Sequence, residues 1–197
     1  MKAQGKDSLV SVTASAIPGY RAGTWTIDPV HSEVAFVVRH MMVSKVRGRF
    51  DAFEGVIVTA PDPLESSVTA RIDLTSLNTG HTDRDSHVKS ADFLDTEKYP
   101  SMTYRSTAVR AGGDGFLVEG ELTLKGVTRP VPLTLEINGF GPDPDGGTRA
   151  GFSATGDIDR NDFGVSFNGL IPGSGGAILS DKITISLEVE ALLDQPG

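Results

Sequence analysis

The chain has 197 residues, with 18 Lys and Arg against 26 Asp and Glu, for a net charge of −8. That length suits one domain with a sizeable core, and the acidic balance argues against nucleic acid as a partner, because neutralising phosphates needs an excess of basic groups. The absence of cysteine removes disulfides, thiolate metal sites and thiol catalysis.

The charge is uneven. Residues 1–50 carry seven basic and three acidic side chains, the remainder eleven and twenty-three. Near the N-terminus Lys2 and Lys6 precede a short apolar stretch at residues 9–12, which includes Ser11. A secretory h-region needs about 7–15 apolar residues. Residues 1–22 therefore read as a flexible leader on a cytoplasmic protein, and residues 23–197 as one domain without internal repeats. No apolar run approaches the about 18 residues of a spanning helix.

From Gly23 onward apolar and polar residues alternate, the period of half-buried strands. Residues 24–27 form a short strand that ends at Asp28-Pro29. In Glu33–His40, the side chains Val34, Phe36, Val38 and His40 share one face. Lys45, Arg47 and Arg49 take the outer face of the next strand, opposite Val46, Gly48 and Phe50. The apolar phase then moves to Phe53, Gly55 and Ile57, which predicts a bulge near Ala52. Val68, Ala70, Ile72 and Leu74 line up next. Residues 76–99 break the pattern; Thr82 or Asp83 can cap a helix there, and Pro100 would end it. Further strands carry Met102, Tyr104 and Ser106, then Phe116, Val118, Gly120, Leu122 and Leu124, then Val131, Leu133, Leu135 and Ile137. The last two carry Ala150, Phe152, Ala154, Gly156 and Ile158, and Ile183, Ile185, Leu187 and Val189. Between them, residues 160–180 are glycine-rich yet hold Phe163, Phe167, Leu170 and Ile171, and read as a lid.

Eight or nine antiparallel strands, each with one apolar face, make an all-β barrel or a two-sheet sandwich. Many inward positions are small: Ala35 or Gly48, then Ala70, Gly120, Ala150, Ala154 and Gly156. Interiors pack densely, so a barrel lined this way favours a cavity, unless larger residues on facing strands fill it.

The chemistry is sparse. There is no glycine-rich phosphate loop, no H-E-x-x-H and no G-x-S-x-G. Asp162-Phe163-Gly164 spells the kinase magnesium tripeptide without its companion motifs. His81, Asp83, Asp85 and His87 form the densest group of potential metal ligands. On a helix His81 and His87 face different directions, so capping and ion pairing outweigh metal binding, and no cofactor is indicated. His40 ends an apolar face; it has either a structural partner or a polar role at one end of a cavity. His31 suits a turn. The Lys45, Arg47 and Arg49 face is either simply solvated or docks transiently on an anionic membrane, where each basic group is worth about 1 kcal/mol.

Four ordered blocks carry a resemblance. Asp28-Pro29-Val30-His31-Ser32 is followed by Phe36, His40, Gly48-Arg49-Phe50, Phe53 and Gly55. Residues 84–93, from Arg84-Asp85-Ser86-His87 to Asp92-Phe93, precede Tyr99-Pro100. Residues 120–128 and Arg160-Asn161-Asp162-Phe163-Gly164 complete the set. Together they resemble the YceI-like family across nearly the whole chain outside the leader. The resemblance implies an extended antiparallel lipocalin-like β-barrel of about eight strands, here with one short helical insertion. It also implies a polyisoprenoid or similar long-chain, fatty amphiphile as ligand, frequent homodimers and no general catalytic activity. On this reading Val34, Phe36, Val38, Ala70, Ile72, Phe116, Val118, Leu133, Leu135, Phe152 and Ile185 line a tunnel. His40, with His31, Arg84 or Asp85, would sit near a head group or an entrance. The competing readings are an enzyme using His40 and a carboxylate as acid and base, and a stress-related barrel without a ligand.

Overall fold

The structure is a computed structural model that describes residues 13–113, 115–170 and 178–195. Twelve strands occur among the described residues: β1 (Gly23–Ile27), β2 (Glu33–His40), β3 (Ser44–Phe50), β4 (Phe53–Thr59), β5 (Ser67–Asp73), β6 (Leu77–Asn78), β7 (Ser101–Gly112), β8 (Gly115–Leu124), β9 (Val127–Pro130), β10 (Leu133–Pro142), β11 (Thr148–Asp159) and β12 (Leu179–Leu193). One helix, α1 (Thr82–Lys89), lies between β6 and β7. Strands β1-β4-β5-β7-β8-β10-β11-β12 form an antiparallel ring, closed where β1 meets β12. This is the eight-stranded lipocalin-like barrel that the family resemblance implies, and it decides between the barrel and the sandwich that alternation left open.

β12 organises the closure. Along one edge it pairs with β11 from Arg149 to Asp159. Its other edge is shared: Ala191, Leu192 and Leu193 pair with β1, while Ile183 to Glu188 pair with β2. The β2–β3 hairpin thereby prolongs the wall beyond the ring. β6 continues β5 after one 3-10 turn and pairs with Arg49 and Phe50 of β3, which ties the extension back to the barrel.

β8 shows why these segments are strands. Phe116, Val118, Gly120, Leu122 and Leu124 are all buried, and every residue between them is partly exposed. A period of two gives one face to the interior and one to solvent. On the outer face Arg105 and Arg110 of β7 pair with Glu121 and Glu119 of β8 at 3.1 and 2.9 Å. Such exposed pairs fix register more than they stabilise, at about 0.2–1 kcal/mol each.

Two local expectations are corrected. The phase change after Phe50 is a corner, not a bulge. β3 pairs with β2, whereas β4 starts afresh at Phe53 and pairs with β1 and β5. Ser76 holds the corner: Asp51 N donates to its carbonyl at 3.2 Å and Ala52 N to its hydroxyl at 3.0 Å. The helix is capped by His81, not by Thr82 or Asp83, and it ends at Lys89, far short of Pro100. It stops because Phe93 and Leu94 turn into the core. The backbone then folds back, with Leu94 N donating to Val88 O and Thr96 N to Lys89 O.

One end of the barrel holds a packed aromatic cluster. Trp25 is 0% exposed and packs with Phe152 over Ala150 and Ala191, whose small side chains leave room for the indole. Its Nε1 donates to Thr59 Oγ1 at 2.7 Å, and that hydroxyl donates to Arg21 O at 2.6 Å. Phe140 tilts against Trp25 at 5.5 Å, and Tyr20 meets Phe140 edge-on at 5.4 Å. Tyr20, in the segment assigned to the leader, also donates to Ala60 O at 2.7 Å.

Candidate functional site: an apolar tunnel

The interior above Trp25 is open. A cavity of about 830 Å³ runs through the barrel, walled almost entirely by hydrocarbon. All twelve residues singled out from the sequence, Val34, Phe36, Val38, His40, Ala70, Ile72, Phe116, Val118, Leu133, Leu135, Phe152 and Ile185, lie in this wall. Ile57, Ile137 and Val189 surround its deep end against the Trp25 cluster.

The glycines do not create the space. A Cβ on Gly48 would collide with the Phe36 ring, and one on Gly120 with the Tyr104 ring. Each glycine seats a neighbouring strand's aromatic group, so at these positions a facing residue fills the gap. The volume of about 830 Å³ remains beside these filled positions. Left unpacked, such a cavity forgoes about 20 kcal/mol at about 24 cal/mol per Å³. That exceeds the roughly 5–15 kcal/mol net stability of a domain. A volume this large is a binding space rather than a packing defect.

Polar groups gather at the mouth. α1 contributes Arg84, His87 and Val88, and the β2–β3 hairpin contributes His40 and Ser44. His87, Phe93 and Phe167 form an aromatic triangle with centroid separations of 5.1, 5.3 and 5.1 Å. His87 Nε2 lies 2.9 Å from Asp92 Oδ2, which orients the ring. Periodicity could not place this triangle, because Phe93 and Phe167 lie outside the strands. Phe167 was visible as an apolar residue in the segment read as a lid.

That segment is anchored as far as Phe167. Arg160, 4% exposed, donates through its NH1 group to Val165 O and Phe167 O at 2.6 and 2.9 Å. Its Nε donates to Ser180 O at 3.0 Å, and its NH2 group reaches Asp181 Oδ1 at 3.3 Å. A buried guanidinium needs acceptors on several sides, and Arg160 finds them here. The rest of the lid expectation, residues 171–177, lies outside the described residues.

The other candidate polar residues serve local structure. Arg84 is at the mouth, with Nε and NH2 donating to Thr79 Oγ1 and Thr79 O at 2.8 Å each. Asp85 accepts from Thr79 N at 2.9 Å and does not face the tunnel. His31 is away from the tunnel, 2.8 Å from Asp28 Oδ2. His81 caps α1, and no group of three His, Asp or Glu among the described residues could hold a metal ion.

Acid–base chemistry needs titratable groups that converge. The His40 ring makes no hydrogen bond among the described residues, and no carboxylate pairs with it there. Within the wall, burial pushes the Tyr104 phenol up to about 12, so it stays neutral, donating to Val131 O at 3.1 Å. Asp28, away from the wall, is held well below the usual carboxylate range by the Arg149 guanidinium and by His31. Among the described residues no buried side-chain nitrogen or oxygen lacks a partner. The tunnel therefore offers shape and hydrocarbon, with hydrogen-bonding groups at its ends.

Comparison with known proteins agrees with this architecture. Protein YceI of Escherichia coli O6:H1 is 44% identical over 168 residues, covering 81% of this chain and 87% of that protein. The crystal structure of Burkholderia cenocepacia BcnA superposes with a TM-score of 0.69 at 27% identity, over 83% of this chain and 98% of that one. A polyisoprenoid binding domain from Saccharophagus degradans, implicated in plant cell wall breakdown, shares the fold with a TM-score of 0.61 at 17% identity, over 88% and 100% of the two chains. Residues 25–191 match the YceI-like domain, and the chain belongs to that family.

Proposed function

We propose that this protein binds a long-chain isoprenoid, or a similar amphiphilic lipid, in the barrel tunnel and stores or carries it. The observation that carries the reading is the tunnel itself: about 830 Å³ of apolar volume, with the Trp25 cluster packed beside one end and polar groups of α1 and the β2–β3 hairpin at the other. A fold shared with a polyisoprenoid binding domain supports the same ligand class.

The dimensions set a chain length. The wall follows β12 from Leu179 to Val189. Ten residues at about 3.3 Å, tilted by about 40°, give a tunnel about 25 Å long. An extended carbon chain advances about 1.25 Å per bond, from a 1.52 Å bond and a near-tetrahedral angle. The tunnel thus takes about 20 backbone carbons, or about five isoprene units. Burying ten CH₂ groups is already worth about 8 kcal/mol before entropic costs, so micromolar binding needs no catalytic group.

The test is native mass spectrometry of freshly purified protein, with lipid identified after denaturing extraction and titration of the emptied protein with prenyl lipids. A bound or titratable prenyl chain supports the reading, and the intact mass also reports whether the protein is the homodimer expected for the family. Failure to take up any prenyl or alkyl chain from solution would overturn it.

A further inference from the structure

The tip of the β2–β3 hairpin is built against ordinary turn preferences. Met41 and Met42 have positive φ, at 51° and 61°. Two consecutive positions of this kind are usually Asn or Gly, because other side chains crowd the backbone there. Here they hold apolar side chains out into water: Met42 is 68% exposed and Val43, the next residue, 85%. Behind the tip, Arg39 and Lys45 lie directly opposite each other, with Arg47 two residues along on the same outer face. Like charges facing each other across a strand pair repel. No salt bridge to any of the three occurs among the described residues.

This tip stands at the tunnel mouth. Met41 N donates to Ile178 O at 2.7 Å, and Ile178 N donates to Gly169 O at 2.9 Å. Ile178 and Gly169 both line the tunnel. Leu170, 71% exposed, extends the apolar rim. An apolar point backed by a basic face, on an otherwise acidic protein, complements one kind of surface. That surface is a bilayer with anionic head groups and a hydrocarbon layer just beneath.

We propose that the β2–β3 tip is a docking element: Met42 and Val43 insert into an anionic phospholipid surface, Arg39, Lys45 and Arg47 contact its head groups, and the tunnel mouth is thereby seated on the membrane. The proposal rests on the lipid-carrier reading for its purpose but not for its physics. A chain leaving the bilayer would enter the tunnel without crossing water.

The experiment is co-sedimentation of the full chain with vesicles of phosphatidylcholine alone or mixed with phosphatidylglycerol. Binding is expected to the mixed vesicles only and to fall at high salt. Each basic residue near such a surface contributes about fivefold, so the triple variant Arg39→Gln, Lys45→Gln, Arg47→Gln loses about a hundredfold in partitioning. Because the chain has no cysteine, Met42→Cys can carry a single environment-sensitive fluorophore, whose emission shifts to the blue on insertion. Val30→Cys, exposed on the β1–β2 turn, gives no shift. Absence of binding to mixed vesicles, binding unchanged in the triple variant, or equal shifts at both labels would each overturn the proposal. Prenyl-lipid titration in solution separates the two readings. Lost vesicle binding with intact chain uptake sinks docking alone, while the reverse sinks the tunnel reading alone.

Discussion

Replacing Ala154 by tryptophan tests the tunnel most directly. Ala154 is a buried wall residue of β11, opposite Leu135 on β10 and Leu187 on β12. Below that level the β12 wall continues only from Leu187 to Val189, beside the Trp25 cluster, about 5 Å of tunnel after tilt. An indole crossing the axis removes that length and its own thickness of about 4 Å. The combined loss of about 9 Å corresponds to about seven backbone carbons. At about 0.8 kcal/mol each, the variant should bind a full-length chain about 6 kcal/mol more weakly, a loss of about 10⁴-fold. A prenyl and alkyl series titrated by calorimetry gives a sharper signature. Affinity should rise with length up to about 20 carbons in the parent and level off near about 13 in the variant. Denaturant unfolding supplies the control, since an indole placed in a real void keeps the midpoint, whereas one forced into a packed core costs about 1–3 kcal/mol. A folded variant with unchanged length dependence would refute the tunnel argument.

Other outcomes follow from the mouth, the Asp28–Arg149 pair and the wall. Phe167→Ala removes two ring contacts from the His87–Phe93–Phe167 triangle, each worth about 0.5–1.5 kcal/mol, so stopped-flow release of a fluorescent prenyl lipid should quicken by about tenfold. Asp28, held below the usual carboxylate range by Arg149, adds stability at neutral pH that is lost as pH falls below about 4. Arg149→Gln should lower the urea midpoint at pH 7 and flatten its decline in acid. Tyr104, pushed up to about 12 by burial, keeps its full contribution below about pH 10 and loses it as pH rises towards 12, at most about 3 kcal/mol. Tyr104→Phe should remove that alkaline slope in pH-dependent unfolding.

Alternation made the strands legible, because it reports which face a side chain uses. Phe116 to Leu124 and Phe152 to Ile158 could be phased from sequence for that reason. It does not report which strand lies alongside. The corner at Asp51-Ala52 looked like a bulge because both produce the same phase shift, and only pairing separates them. The sharing of β12 between β1 and β2 has no local signature at all. Small inward residues pointed to a cavity, yet Gly48 and Gly120 are filled by the rings of Phe36 and Tyr104. Composition cannot say whose ring leans over a glycine. The mouth was least legible. Phe93 and Phe167 sit in non-periodic segments, and what joins them to His87 is a fold-back after α1 and the grip of Arg160 on residues 165–167.

The double use of β12 has a consequence for how the barrel comes into being. Trp25 meets Leu193, and Val34 meets Leu187, across more than 150 positions of chain. Neighbouring hairpins such as β7–β8 close loops of a few residues and can zip early. Joining the far ends costs about 2.5 kcal/mol more in loop entropy than a ten-residue hairpin, so the β1–β12 and β2–β12 pairings are the slow ones to form. A barrel whose β12 seams had not yet closed would be an open, curved sheet with a wet interior face and unpaired edges. A hydrophobic chain present at that stage would meet an open trough rather than a narrow mouth. Refolding with prenyl lipid should therefore load the protein faster than adding the same lipid after closure. In vivo, the order of synthesis and lipid supply would then bear on how the barrel is filled.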